Sequence, residues 1–133
     1  MYRTMGKFEP EYLLSDPSGA EPIAIPCAPG NGTIERGQIM KRGENGMYVP
    51  AAAADITNAN SLVVIDEQVN TEENETVAAD ARAYRAGKML SSRLLLAGGG
   101  MLTAAHKLVL RQQGILTDHL MEDAPEFDNS TEG

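Results

Sequence analysis

The sequence contains no tryptophan, one cysteine, two phenylalanines and four tyrosines in 133 residues. Large aromatic side chains bury the most area apiece, so a core here has to be assembled from Ala, Val, Ile, Leu and Met. The few aromatics are also placed badly for a core. Tyr2, Phe8 and Tyr12 stand near one end and Phe127 near the other, which leaves Tyr48 and Tyr84 for the middle. A lone cysteine, Cys27, excludes an internal disulfide and a cysteine-based zinc site. No apolar run approaches the roughly 18 residues that a membrane-spanning helix needs. The opening MYRTMGKFEP lacks the continuous apolar stretch of a secretory leader. The expectation is a soluble chain with no membrane partner.

Basic residues are scarce as well. Eleven Lys and Arg against nineteen Asp and Glu leave a net charge of −8. Nonspecific nucleic-acid binding depends on cations displacing counterions from phosphates, so no nucleic-acid partner is expected. The length fits one domain, which buries roughly two-thirds of the surface of its unfolded chain. With 42% hydrophobic residues and few aromatics, that core is thin, and oligomerisation is a natural way to complete it.

The chain divides into three parts. Residues 1–32 hold five of the seven prolines (Pro10, Pro17, Pro22, Pro26 and Pro29). Each removes a backbone donor and biases its predecessor to extended geometry, so an extended N-terminal arm is expected rather than a long helix or a central strand. Tyr2, Phe8, Tyr12, Leu13 and Leu14 give this arm more apolar anchors than disordered tails carry. An extended segment with such anchors suits strand addition to a partner, and removing residues 1–20 is expected to leave folding intact.

Residues 33–117 read as a β-rich domain. Thr33-Ile34-Glu35-Arg36-Gly37-Gln38-Ile39-Met40-Lys41 suggests one or two short strands with a bend at Gly37. Asn45-Gly46 is a strong turn pair, and Met47-Tyr48-Val49 follows as a strand that Pro50 ends. Leu62-Val63-Val64-Ile65 is an unbroken apolar run, the pattern of a strand buried on both faces. Over 76–84, Val77, Ala79, Ala81 and Ala83 alternate with polar positions, placing one face inward. After Gly98-Gly99-Gly100, a helix is expected near 103–113. Thr103 is its N-cap, one side carries Leu102, Ala105, Leu108, Val109 and Gln112, and Gly114 is the C-terminal cap. Residues 118–133 form an acidic tail expected to be flexible. The fold class is α+β, β-rich: a small barrel-like or sandwich-like domain with an extended arm and a short C-terminal helix.

Catalysis needs groups held together with matched acidities, and the supply is small. His106 lies on the expected helix as a surface histidine, His119 adjoins the acidic tail, and Cys27 has no base near it in sequence. Asp66, Glu67, Glu72, Glu73, Glu75 and Asp80 form an acidic stretch without the spacing of a calcium hand. The triple glycine lacks the Gly-Lys-Ser/Thr ending of a phosphate loop and reads as a joint. No enzyme, catalytic residue, cofactor or metal is expected. One asymmetry stands out. Between residues 81 and 117 there are six bases (Arg82, Arg85, Lys88, Arg93, Lys107, Arg111) and no acids, a face suited to pairing with an acidic surface.

The order of these pieces resembles the bacteriophage lambda-type head decoration (capsid cement) proteins. The matching runs are Gly32-Thr33-Ile34-Glu35-Arg36-Gly37-Gln38-Ile39, Gly46-Met47-Tyr48-Val49-Pro50, Val63-Val64-Ile65-Asp66-Glu67-Gln68-Val69, Tyr84-Arg85-Ala86-Gly87 and Leu110-Arg111-Gln112-Gln113-Gly114-Ile115-Leu116. Together they cover about residues 20–117. The triple glycine and the acidic tail have no place in the pattern. The resemblance implies a small tulip-like β domain that forms a homotrimer at three-fold and quasi-three-fold sites on the outer surface of the phage head. It further implies an arm that joins strands of the major capsid protein and stabilises the expanded capsid, with Tyr2, Phe8, Tyr12, Leu13 and Leu14 as its contacts. Two other readings compete: a different virion component, such as a head–tail adaptor or fibre base, and a trimeric enzyme of the dUTP pyrophosphatase type. The run from Gly32 to Gly37 faintly resembles the uracil-site hairpin of the latter. Glu35 stands where that chemistry needs Asp, however, the Tyr is missing, and an acidic C-terminus would repel a triphosphate.

Overall fold

The computed structural model describes residues 13–72 and 78–117. Among them are eight strands and one α-helix, in keeping with a β-rich α+β domain. The strands are β1 (Leu14–Cys27), β2 (Thr33–Ile34), β3 (Ile39–Arg42), β4 (Tyr48–Pro50), β5 (Leu62–Ile65), β6 (Val69–Asn70), β7 (Ala79–Met89) and β8 (Ile115–Thr117); the helix α1 is Ala104–Gln112. Strand pairing runs β1-β4-β3-β5-β7 and returns to β1, forming a ring, and β8 joins β7. β2 and β6 make a separate two-stranded sheet.

β3 and β5 sit mid-ring, and each sends side chains to both faces. Ile39, Leu62 and Val64 pack into one apolar cluster with Leu13, Met89, Leu94, Leu96, Leu110 and Ile115. Met40, Val63 and Ile65 face the other cluster, with Ile25, Cys27, Ile34, Ala81 and Ala83. The unbroken run Leu62–Ile65 is therefore buried at every position, as its pattern predicts. Each such side chain contributes about 1.5–3 kcal/mol by leaving water. The second cluster is the thin one, because β7 offers it only alanines.

β1 departs from the expected arm. It is antiparallel to β7 from Leu14↔Met89 to Cys27↔Ala79, with register shifts between Leu14 and Pro22. Its other edge meets β4 at a single pair, Cys27↔Tyr48. That asymmetry is how the prolines are accommodated. The Ala28 N–H donates to the Tyr48 carbonyl (2.9 Å), so even-numbered backbone groups here point toward the β4 side. Pro22 and Pro26 share that parity, and the donors they lack are missing from the sparsely paired edge. Within the expected arm of residues 1–32, residues 14–27 thus form a strand of the main sheet.

The helix is capped as the sequence predicts but turned differently. Thr103 Oγ1 accepts from the His106 N–H (3.2 Å), and His106 Nδ1 accepts from the Thr103 N–H (3.1 Å). Histidine fills the role that Glu or Gln plays in a capping box. The buried residue is Leu110, whereas Leu108 is 55% exposed. Gln113, one turn below Leu110, is the reason. Its Nε2 donates to the Asn60 carbonyl (2.8 Å), and its Oε1 accepts from the Leu62 N–H (3.0 Å). This clamp to the start of β5 sets which side of the helix faces inward.

Candidate functional site

The chain between β7 and α1 builds the most distinctive surface. After Met89 the chain makes a 3-10 turn at Ser91–Arg93 and then runs beside β3 and β4. Leu95 N–H donates to the Gly37 carbonyl (2.9 Å), and Ile39 N–H donates to the Leu95 carbonyl (3.0 Å). Ala97 N–H donates to the Ala51 carbonyl (2.8 Å). Gln38, nearly buried, adds its Nε2 to the Ile39 and Leu95 carbonyls (2.9 and 3.1 Å). The segment is held closely, yet Leu95 remains 40% exposed.

Gly98, Gly99 and Gly100 then follow with φ of 84°, 86° and 98°. Three consecutive left-handed residues are unfavourable for any residue with a Cβ. The run reverses the chain toward the Thr103 cap and leaves Met101 88% exposed. The sequence reading as a joint missed this presentation; the signal was a large apolar residue immediately after glycines.

Two open depressions lie along this segment and share Ser92 and Leu95 in their walls. One, of about 410 Å³, is lined by Leu13, Glu35, Arg36, Ser92, Arg93 and Leu95. Leu13 sits at its edge, where its carbonyl accepts from the Leu90 N–H (2.9 Å). The other, of about 470 Å³, lies between the 3-10 turn and the start of α1.

The expected contact residues divide. Tyr2, Phe8 and Tyr12 lie outside the described residues. Leu13 is 2% exposed and packs in the core, and Leu14 packs partly buried against the same cluster. Both pack within this chain, because strand pairing with β7 carries them under the sheet end.

The acidic stretch is occupied by internal work. Asp66 pairs with Arg36 (3.0 Å) and lies against Tyr84, whose hydroxyl is held above its ordinary value first by burial and then by that carboxylate. Glu67 Oε2 accepts from the Arg82 N–H (2.7 Å) just past the end of β5. Glu72 Oε2 accepts from the Gly32 N–H (2.8 Å). These carboxylates complete backbone ladders where strands stop. Glu73 and Glu75 lie outside the described residues. Among the described residues, no three His, Cys, Asp or Glu side chains gather as a metal site would require.

Cys27 is fully buried. Burial, and then the charges of Asp80 and Glu67, push its thiol up to about 11. A thiol is nucleophilic only as thiolate, so this one is inert near neutrality. His106 is engaged in the helix cap. No helix among the described residues is long and apolar enough to cross a membrane. The sequence matches no protein-family model and no curated protein.

Proposed function

We propose that this chain is a structural virion protein of the head-decoration (capsid cement) type, with no enzymatic role. In this reading it attaches as a homotrimer to the outer surface of an expanded phage head, contacts the major capsid protein through its N-terminal arm, and stabilises the shell. The ring of strands would then be the small tulip-like barrel of such proteins.

The observation that carries the reading is the order of the segments resembling that family. Residues 32–39, 46–50, 63–69, 84–87 and 110–116 fall in turn on β2 and β3, on β4, on β5 and β6, on β7, and on α1 with β8. Each segment coincides with an ordered element of the domain, spread over both sheets and the helix. The thin second cluster, closed on the β7 side by alanines, also fits subunits that gain stability by assembling.

With Leu13 and Leu14 used internally, the arm that reaches the capsid is residues 1–12, with Tyr2, Phe8 and Tyr12 as anchors. The test is the light-scattering mass of the purified protein alone and with expanded capsids, repeated with Tyr2, Phe8 and Tyr12 changed together to Ser. The expected result is attachment in multiples of three by the unaltered chain and a tenfold or greater loss of attachment by the variant, with both equally folded. A monomer that ignores capsids, or a variant that attaches normally, overturns the reading. Rings of six or twelve indicate a head–tail adaptor instead.

A further inference from the structure

Two Asn-Gly steps occur in the sequence, Asn31-Gly32 and Asn45-Gly46, and the fold holds them differently. Both asparagines are exposed. The Asn31 side chain is turned back along the chain, its Nδ2 donating to the Ala28 and Pro29 carbonyls (3.1 and 3.5 Å). The backbone there is clamped by a distant segment. Asn31 N–H donates to Thr71 Oγ1 (2.8 Å) and Gly32 N–H donates to Glu72 Oε2 (2.8 Å). The Gly32 carbonyl accepts from the Thr71 N–H (3.0 Å) and hydroxyl (2.7 Å). The Asn45 side chain is turned forward instead. Its Oδ1 accepts from the Met47 N–H (3.0 Å), which folds the amide over the intervening Gly46 peptide as an Asx-turn does. The backbone bonds around it are local: Gly46 N–H donates to the Gly43 carbonyl (3.0 Å), and Gly43 N–H donates to the Met47 carbonyl (2.8 Å).

We propose that Asn45 is a self-modification site, converting to aspartate and isoaspartate through its own backbone, while Asn31 is held against the same reaction. The nucleophile is the Gly46 nitrogen, and glycine carries no Cβ to obstruct it. Its proton passes to water or hydroxide as the nitrogen attacks Asn45 Cγ. The N–Cγ bond forms, the Cγ–Nδ2 bond breaks, and the amide nitrogen takes up a proton and leaves as ammonia. The Met47 N–H donates to Oδ1, where negative charge develops, the arrangement that stabilises an oxyanion. Water then opens the cyclic imide. Breaking N–Cγ gives aspartate at this position, and breaking the bond from N to the Asn45 carbonyl carbon gives isoaspartate. At Asn31 the attacking nitrogen has first to surrender a charge-assisted bond to a carboxylate. Its negative charge then develops beside that of Glu72, and Cγ is held toward the preceding residues.

The consequence falls on the ring of strands. β4 meets β1 at the single pair Cys27↔Tyr48, where the Ala28 N–H donates to the Tyr48 carbonyl (2.9 Å). Aspartate at position 45 keeps the acceptor for Met47. Isoaspartate routes the main chain through the side-chain carbons, which lengthens the turn just before that pair. The ring is thereby loosened where it is joined most sparsely.

The test holds the full chain at pH 8 and follows both Asn-Gly steps by peptide mass mapping. In the folded chain, conversion at Asn45 should run at least tenfold faster than at Asn31. In concentrated urea the two rates should converge, because both steps then react as flexible peptides. The isoaspartate-bearing fraction should exchange its Ala28 amide at least fivefold faster than the variant Asn45→Asp, which carries the added carboxylate without the longer turn. Equal conversion of the two asparagines in the folded chain, or conversion at neither, overturns the proposal. So does Ala28 exchange in the isoaspartate fraction that matches Asn45→Asp.

Discussion

A methyl group on Gly37 would overlap the carbonyl oxygen of Arg93. The two residues are far apart in sequence, and the 3-10 turn ending at Arg93 rests directly on the bend between β2 and β3. Gly37 also has φ of 97°, a conformation L side chains rarely adopt. Its N–H donates to the Ile65 carbonyl (2.9 Å) and its carbonyl accepts from Leu95 (2.9 Å), so the bend joins β5 to the segment after β7.

Gly37→Ala therefore meets both a backbone clash and an unfavourable φ. We expect a loss of about 2–4 kcal/mol, read as a lower midpoint in urea. A loss under 0.5 kcal/mol would show that the turn at Arg93 yields easily.

Gln113 replaces a missing strand neighbour for Asn60 and Leu62, donating and accepting at once. Gln113→Glu keeps the acceptor and removes the donor to the Asn60 carbonyl. The expected cost is about 1–3 kcal/mol, that of leaving a half-buried polar group without its partner. Amide exchange at Leu62 should stay slow in Gln113→Glu and quicken in Gln113→Ala, where both bonds are lost.

Asp55 accepts from Lys41 Nζ (2.8 Å) and from the Ala52 N–H (2.9 Å). Those bonds, the Lys41 one foremost, hold its carboxyl below the usual carboxylate range. A carboxyl with a depressed folded value adds stability above its unfolded value of about 3.9, and that stability is lost as pH falls through the folded value. Asp55→Asn should thus be less stable than the unaltered protein at pH 7 and pH 5. The gap should narrow in denaturation curves taken at successively lower pH below the unfolded value of about 3.9.

Cys27 predicts the opposite dependence. Its thiol is raised to about 11 in the fold, above an unfolded value of about 8.5. The stability this confers is complete below pH 8.5 and is lost as pH rises toward 11. Relative to Cys27→Ala, the unaltered protein should lose stability across that interval. At pH 8 its thiol should react with a maleimide only when the chain is unfolded.

Leu13 marks where the chain becomes part of the core. Leu13→Ala should cost about 2–5 kcal/mol, as for other buried leucines. Removing residues 1–20 should destabilise the fold severely, because it takes away Leu13 and the Leu14↔Met89 and Asp16↔Lys88 pairings of β1. Thermal melts of that truncation beside one lacking only residues 1–12 distinguish the strand from the arm.

Much of the architecture was legible in local signals. The unbroken run Leu62–Ile65 announces a strand buried on both faces. Asn45 accepts from the Met47 N–H (3.0 Å) and Gly46 takes φ of 85°, as an Asn-Gly turn requires. Thr103 and Gly114 mark the two ends of the helix by the same short-range chemistry. His106, expected as a surface histidine, is instead the acceptor for the Thr103 N–H at the helix start.

Other features depended on partners distant in the chain. Pro22 and Pro26 argue against a strand until β7 supplies an edge that leaves their missing donors on the far side. The helix face is chosen by the amide of Gln113 meeting β5, which reverses the ranking of Leu108 and Leu110 that periodicity suggests. The acidic stretch looks like a solvated loop until Glu67 and Glu72 are found capping backbone donors of β7 and of Gly32. By itself the sequence determined the turns, the caps and the two-sided burial of β5, because these rest on sterics and hydrogen bonds within a few residues. Only the tertiary structure decided which edge β1 joins, which face α1 turns inward and what Gly37 must accommodate. Each of those is a contact across tens of residues, and its free energy exists only once both partners are in place.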